Sequence, residues 1–305
     1  MTDHQRTKTI KSYFFYVIII LPILFWALAF PVIKIGLKEL SAVNLTIMRL
    51  FLVCIVFIIV SLMYPNRLSP LQKKDILPIF LLGFFGIVVY HLGLNYGELY
   101  ISASAASLII ATIPLFTILL SVLFLKEKIT RSILLGFILS FVGIIIISFF
   151  GTPHVTLEIV YISGAITVLI ASLMGAIYTT AGKNFLKRYS PLSLTIYAFL
   201  LGSLGLIPFI SSSLFTQVAN LSSTGWASVI FLALFPTVIS YSLWYVALEL
   251  KKASELSLYL YAIPVISTTV STLLFNESIT ILFIIGGILV LLGLVIVNTR
   301  NKHIK

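Results

Sequence analysis

The sequence is poor in charge, and above all in acidic residues. Of its 305 residues only 10% are charged, nine are Asp or Glu and one is Cys, whereas 60% are apolar. The mean hydropathy is +1.17. A soluble domain carries about 25% charged residues, and a single soluble core cannot hide this much apolar surface. The composition therefore excludes an ordinary soluble domain and favours a chain whose main solvent is lipid.

Motifs of common catalytic chemistry are also missing. There is no Walker loop, no H-E-x-x-H pattern and no G-x-S-x-G pattern. Nearly all the acids lie at the ends of apolar runs or between them, so a mid-membrane carboxylate, the usual proton relay, is missing too. Cys54 is alone and cannot form an intrachain disulfide. We therefore predict no catalytic residue, no metal site and no cofactor.

Ten apolar runs are long enough to cross a bilayer. A helix rises 1.5 Å per residue, so roughly 20 residues span a hydrocarbon core of about 30 Å. Runs such as GIIIISFF do not alternate in polarity, as the strands of a membrane barrel would. We predict an all-α integral membrane protein with ten transmembrane helices, near residues 13–36, 43–64, 75–97, 102–125, 131–150, 159–182, 192–212, 226–248, 254–275 and 279–298.

The basic residues are distributed unevenly between the two sides of these predicted helices. If the N-terminus is cytoplasmic, seventeen of the twenty Lys and Arg residues lie on the cytoplasmic side. Only Lys34 and Lys38 lie on the outer side, and Arg49 lies within the second run. This bias follows the positive-inside rule. It predicts that both termini are cytoplasmic, and it makes the net charge of +11 a feature of topology and not of nucleic-acid binding.

The chain contains an internal repeat. SVLFLKEKIT (121–130) returns as STLLFNESIT (271–280), and SAVNLTIMRL (41–50) parallels SPLSLTIYAF (190–199). Five predicted helices per repeat place the second copy upside down relative to the first, so Glu127 is expected in the cytoplasm and Glu277 outside. Inverted repeats are typical of secondary transporters. We predict a cytoplasmic tail (1–12), a first repeat (13–151), an inverted second repeat (152–298) and a second cytoplasmic tail (299–305).

With this pattern the sequence resembles the EamA family of the drug/metabolite transporter superfamily. The resemblance rests on LPILFWALAFPVIKIG in the first run, NLTIMRLFL in the second, and a proline followed by a glutamate towards the end of the fourth and ninth. It implies an export or exchange carrier with a central cavity lined by helices 1, 3, 4, 6, 8 and 9. It does not specify the substrate, since members export amino acids, other metabolites, nucleobases and drugs.

Polar residues within the third run are candidates for the wall of such a cavity. His91, Asn95 and Glu98 are spaced i, i+4, i+7 and share one helix face, with Tyr90 beside them. Polar groups on an apolar helix must be buried against protein or water. They are therefore expected either to face a cavity or to form an interhelical hydrogen-bond cluster. Glu98 is close enough to the interface to be hydrated.

Aromatic residues near mid-membrane form a second group of candidates. Because Tyr hydroxyl and Trp N–H groups need partners in apolar surroundings, these residues either line the cavity or form core contacts. The candidates are Trp26 and Phe30 in the first run, Tyr178 in the sixth, and Tyr241, Trp244 and Tyr245 in the eighth.

Three further residues are unusual inside apolar helices. Arg49 is either an anion contact or gating residue, or a snorkelling or scaffold arginine, because a buried guanidinium is costly unless paired. Pro114 and Pro264 each remove a backbone hydrogen bond, and they occupy equivalent repeat positions. They are hinge candidates, with a static kink as the alternative.

The sequence predicts a secondary transporter that exports or exchanges small amphipathic metabolites, such as amino acids, by alternating access, and it predicts no enzyme. A lipid-processing membrane enzyme and a non-transporting membrane receptor are the alternatives. The expected partners are a small-molecule substrate and the lipid bilayer of the cell membrane, without nucleic acid. The chain is expected to be a monomer or a weak homo-oligomer.

Overall fold

The computed structural model describes residues 3–125, 131–150, 159–276 and 279–301, and within these ranges the chain is helical, without strands. The first repeat contains α1 (Asp3–Gly36), α2 (Ala42–Met63), α3 (Ile76–Gly83), α4 (Tyr90–Tyr100), α5 (Ala103–Ile110), α6 (Ile113–Leu125) and α7 (Arg131–Phe150). The second contains α8 (Ile159–Phe185), α9 (Pro191–Ser203), α10 (Ser212–Ala219), α11 (Ser223–Ala233), α12 (Ser240–Leu250), α13 (Ala253–Ser257), α14 (Ala262–Phe275) and α15 (Ile281–Asn301).

Seven described helical stretches are long and apolar enough to cross a membrane. They are Phe15–Gly36, Ala42–Met63, Lys73–Tyr100, Ala103–Phe124, Ile159–Phe185, Pro191–Phe209 and Ser223–Leu250. The other three predicted spans coincide with shorter apolar helices, Leu134–Gly143, Tyr259–Phe275 and Ile281–Gly293. The all-helical class is confirmed, while ten membrane crossings stay a prediction. Glu127 and Glu277, whose sides were predicted, lie outside the described residues.

Helix α1 begins earlier than its apolar run. It starts at Asp3, inside the segment predicted as a tail, because no proline or glycine interrupts residues 3–12.

The starts of α2 and α9 show how the repeated sequence produces repeated structure. Ser41 and Ser190 each precede a helix in an extended conformation, and each side chain accepts a hydrogen bond from the backbone N–H three residues later. Serine is a strong N-cap residue because it satisfies one of the free N–H groups of the first turn. The two serines, 149 residues apart in the repeated sequence, thus form the same N-cap structure.

A π-helix interrupts the third predicted span and another interrupts the eighth. The two cover Phe84–Val89 and Leu234–Ile239, an offset of 150. Each joins two α-helices into one stretch, α3 to α4 and α11 to α12. Since π-helical turns are rare and cluster at functional sites, their repetition marks these stretches as more than membrane anchors.

The fourth and ninth predicted spans are broken just before their prolines. In the first repeat α5 ends at Ile110 and α6 starts at Ile113, so that Pro114 lies in the first turn of α6. In the second, a 3-10 turn (Leu258–Tyr261) precedes α14, and Pro264 lies in its first turn. A proline in the first turn costs little because that N–H has no helical partner.

Hydrogen bonds tie connecting segments together at two places. Before α3, Asp75 binds the Arg188 guanidinium at 2.9 Å and accepts a hydrogen bond from the Tyr189 hydroxyl at 2.8 Å. Between α1 and α2, the Glu39 carboxylate accepts hydrogen bonds from the Ser222 hydroxyl and backbone N–H at 2.6 and 2.8 Å, and these bonds lower the Glu39 pKa. Each contact joins one connection of the first repeat to one of the second.

Candidate functional site

A cavity lies where helices of both repeats meet. Its volume is ≈ 60 Å³, room for a few water molecules. Its walls are mainly aromatic and aliphatic, with Arg49, His91 and Thr179 as the polar exceptions. The full lining is Trp26, Ala29, Phe30, Arg49, Gly86, Tyr90, His91, Leu94, Ile110, Ile113, Gly175, Tyr178, Thr179, Tyr241, Trp244, Leu260 and Ile263.

The aromatic wall is formed by rings from four helices, α1, α4, α8 and α12. Trp26 on α1 makes edge contacts with Tyr241 and Trp244 on α12, with ring centroids 5.6 and 5.2 Å apart. Tyr178 on α8 lies 5.5 Å from Tyr241. The Trp26 indole N–H donates to the Pro236 carbonyl at 2.8 Å, within the second π-helix. The predicted aromatic candidates Trp26, Phe30, Tyr90, Tyr178, Tyr241 and Trp244 are thus brought together.

Arg49 is buried inside the bundle, with a relative exposure of 2%, and does not extend towards the membrane surface. Its Nε donates to Thr237 Oγ1 at 2.8 Å, and the Thr237 hydroxyl donates in turn to the Leu232 carbonyl at 2.7 Å. The second bond spans five residues and belongs to the π-helical geometry. A cationic residue of the first repeat is therefore positioned by the π-helix of the second.

His91 is fully buried in the cavity wall. Its Nδ1 lies 2.7 Å from the Ile87 carbonyl. Because a carbonyl only accepts, Nδ1 carries the proton of this bond, and in the neutral ring Nε2 is an acceptor. Nε2 has no hydrogen-bond partner within the described ranges. The imidazole ring also packs edge-on against Tyr90, with centroids 5.0 Å apart.

Two predicted candidates lie behind the wall and do not line the cavity. Asn95 is buried and donates to Thr46 Oγ1 on α2 at 2.9 Å, which is the interhelical alternative. Tyr245 is buried and stacks on Tyr178 with centroids 4.9 Å apart, so that Tyr178 fills the space between Tyr245 and the cavity.

Glu98 is fully buried and lies at a second pocket, of ≈ 420 Å³, at the ends of α1 and α4. The Lys34 ammonium donates to the Glu98 backbone carbonyl there, and Lys38 lies over the Phe275 ring at 5.7 Å. The Glu98 side chain itself is buried, and its hydration stays a prediction.

Several residues of the cavity carry no polar signal in the sequence. Ile110 and Leu260 occupy equivalent repeat positions, as do Ile113 and Ile263, and all four flank the breaks before Pro114 and Pro264. None of the four was predicted from the sequence, where an isoleucine or leucine in an apolar run looks the same as a residue that faces lipid. Among the described residues, no three His, Cys, Asp or Glu side chains are grouped so that they could hold a metal ion.

Comparisons with known proteins agree with this architecture. The sequence model of the EamA-like transporter family matches residues 14–149 and 162–299, one match in each half. A protein of Archaeoglobus fulgidus named "Uncharacterized transporter" is 36% identical over 286 residues, which are 94% of this chain and 99% of the relative. The "Uncharacterized transporter YdfC" of Bacillus subtilis is 33% identical over 91% of this chain and 90% of its own length.

Two more distant likenesses extend the comparison. A "Probable terminal-alkyne amino-acid exporter" of Streptantibioticus cattleyicolor is 29% identical over 93% of each chain. A solved crystal structure with 16% identity superimposes with a TM-score of 0.66 over 95% of this chain and 98% of the other, a likeness of fold alone. With two family matches that together cover most of its length, the chain belongs to the EamA-like transporter family and is a multi-pass membrane transporter.

Proposed function

We propose that the chain is a secondary carrier of the cell membrane that exports or exchanges small amphipathic metabolites, amino acids foremost, by alternating access. The observation that carries this proposal is the central cavity, whose aromatic wall contains one buried cation. Apolar walls with a few placed polar groups are typical of small-molecule sites. Trp26, Phe30, Tyr90, His91, Tyr178, Tyr241 and Trp244 are the residues proposed to contact the solute.

The proposed topology is ten spans in two inverted repeats, with both termini in the cytoplasm. The paired connections support it. In the proposed topology the Asp75 and Arg188 segments follow the second and sixth spans and share the cytoplasmic side, which agrees with their salt bridge. The Glu39 and Ser222 segments follow the first and seventh spans and share the outer side, which agrees with their hydrogen bonds. The repeat relates the connections after the first and second spans to those after the sixth and seventh, so the two pairs of contacts occupy equivalent positions on opposite sides of the membrane.

The small size of the cavity supports a transport cycle with moving helices. At ≈ 60 Å³ it is smaller than the ~300 Å³ or more of a typical small-molecule site. A metabolite therefore requires the walls to separate. The breaks before Pro114 and Pro264 lie at the cavity on opposite repeats, and we propose them as the hinges.

The relative from Streptantibioticus cattleyicolor, named as a probable exporter of an amino acid, favours amino acids as the substrate class. A transporter and a lipid-processing enzyme differ in one respect that is easily measured. A transporter gives flux only across a sealed membrane with a solute gradient, whereas a lipid-processing enzyme keeps its activity in detergent.

The test is counterflow of radiolabelled amino acids into proteoliposomes, across a broad panel. Saturable flux of at least one amino acid is expected, and Trp26→Ala, His91→Ala and Tyr241→Ala are expected to lower it without lowering expression. Trp26→Phe keeps an aromatic ring at this position but removes the indole N–H that binds the Pro236 carbonyl, together with part of the ring area. Phe215→Ala, at a residue 69% exposed on α10, is the control with unchanged flux. No saturable flux from folded protein, or unchanged flux in all three alanine variants, contradicts the proposal.

A further inference from the structure

We infer that the transported solute binds by a carboxylate to the Arg49 guanidinium and donates a hydrogen bond to His91 Nε2, with its apolar part against the aromatic wall. The chemical class that fits is a zwitterionic amino acid with an apolar side chain. The inference rests on the proposed function and names the groups of the solute that the cavity recognises.

The hydrogen-bonding capacity of Arg49 is mostly unused. A guanidinium has five N–H donors, and the bond to Thr237 uses the one on Nε. The terminal nitrogens make no hydrogen bond to a residue of the described ranges, and Arg49 forms no ion pair there. The buried Glu98 carboxylate attracts Arg49 without forming an ion pair with it among the described residues, and a buried charge with no contacting ion partner is costly. An anionic ligand group in the cavity removes that cost, and a planar carboxylate matches the fork of two parallel N–H donors.

Thr237 fixes the direction of that fork. Its only hydroxyl proton is donated to the Leu232 carbonyl, so its lone pairs are free to accept from Arg49 Nε. Both residues are buried, at 0% exposure for Thr237. Thr237 is therefore a positioning residue. Its bond to Nε fixes the orientation of the Arg49 guanidinium and leaves the terminal nitrogens available to a ligand in the cavity.

The two repeats differ at the cavity positions that carry the polar groups. Arg49 is equivalent to Ala198, and His91 is equivalent to Tyr241. The aliphatic positions beside the prolines, by contrast, keep their character in both repeats. The Arg49 cation and the His91 acceptor thus both come from the first repeat, while the second repeat contributes the hydroxyl groups of Tyr178, Thr179 and Tyr241. Such a cavity fits a solute with one charged end and one apolar end.

His91 supplies the second polar contact. Its Nε2 is an acceptor without a partner in the described part of the chain. The α-ammonium of an amino acid is a donor, and the rings of Tyr90 and Tyr241 lie beside His91, with centroids 5.0 and 6.1 Å from that of the imidazole. A carboxylate alone leaves this nitrogen unsatisfied, whereas an amino acid satisfies both Arg49 and His91.

The test is a binding measurement on the purified full chain, independent of transport. Trp226→Phe leaves Trp26 and Trp244, both in the cavity wall, as the fluorescent reporters. The probes are matched pairs of L-amino acids and their amides, beginning with leucine and leucinamide. We expect at least one acid to bind about tenfold more tightly than its amide, as a charge-assisted pair implies. Arg49→Gln is expected to reduce that ratio to near one.

Thr237 variants separate positioning from general destabilisation. Thr237→Val removes the hydroxyl at similar volume and is expected to lower the ratio of acid affinity to amide affinity. Thr237→Ser keeps the hydroxyl and is expected to leave this ratio unchanged. If Arg49→Gln does not fold, Arg49→Lys retains the charge without the fork and is expected to give an intermediate ratio. N-acetylated amino acids, which lack the ammonium, are expected to bind the wild-type protein more weakly than the free acids. In His91→Phe this difference in affinity is expected to disappear.

Equal binding of acids and amides, a ratio that Arg49→Gln leaves unchanged, or no binding of any acid overturns the inference. Counterflow in the same preparation separates this failure from failure of the proposed function. Saturable flux with equal preference for amides overturns only the carboxylate inference. The absence of flux for every solute overturns the carrier itself.

Discussion

Gly86 of the first π-helix lies so close to Tyr178 of the second repeat that a methyl group on Gly86 would lie 2.5 Å from the Tyr178 Cβ. Both residues line the cavity. The absence of a side chain at Gly86 therefore sets the position of an aromatic wall residue, and with it the shape of the site.

Gly86→Ala is expected to displace Tyr178 and to lower both stability and flux. Overpacking of a well-packed contact costs about 1–3 kcal/mol. Gly287→Ala is the matched control, since its new methyl group would meet Leu108 at 3.7 Å, an ordinary contact. Thermal unfolding and counterflow of both variants check the expectation. Wild-type behaviour of Gly86→Ala would mean that Tyr178 moves freely and does not define the wall.

Lys34 and Lys183 occupy equivalent repeat positions, and each binds backbone carbonyls near the C-terminal end of a helix, α4 and α12 respectively. Lys34 donates to the Glu98 carbonyl near the end of α4, and Lys183 donates to the Leu248 carbonyl near the end of α12 and to the Lys251 carbonyl at 3.0 Å. Cations at a helix C-terminus satisfy its free carbonyls and interact favourably with its dipole.

Lys183→Met is expected to destabilise the protein by about 1 kcal/mol, because it keeps the apolar stem and removes the bonds to the carbonyls. Lys187→Met is the control, because Lys187 lies one turn later on an exposed position, carries a charge of the same sign and makes no such bond to the described residues. Denaturation of the two variants in detergent measures the difference. Equal stability of the two would contradict a capping role of Lys183.

Pro114→Ala and Pro264→Ala test the proposed hinges. Because each proline lies in the first turn of its helix, alanine is expected to leave unfolding temperature unchanged or higher, while it allows the broken span to become continuous. Counterflow is expected to fall in both variants. Full flux in both would show that the two breaks are static features and not hinges.

The fold could be predicted from the sequence further than the site could. Apolar runs, the charge bias and the repeat predicted an all-helical membrane chain in two halves, because these patterns depend only on helix length and lipid solvent. The π-helices at 84–89 and 234–239 could not be predicted, since no residue type requires them. They decide which side chains reach the cavity.

The polar and aromatic part of the site was predictable because Trp26, His91 and Tyr241 are unusual among aliphatic neighbours. Gly86, Ile110 and Leu260 look the same as residues that face lipid, so only packing reveals their role. Asn95 and Tyr245 share a helix face with true lining residues but are covered by α2 and by Tyr178. The helical spacing of residues predicts which side chains share a helix face, but the packing of neighbouring helices determines whether each of them reaches the cavity.

One pair of equivalent residues reports whether the two repeats cross the membrane in opposite directions. Lys38 and Lys187 are exposed and occupy equivalent positions, 149 residues apart. Each is replaced by cysteine in turn, in a Cys54→Ser background, and treated with a membrane-impermeant maleimide in intact and in permeabilised cells. For inverted repeats we expect labelling of Lys38→Cys in intact cells and of Lys187→Cys only after permeabilisation. Labelling of both from the same side would contradict it.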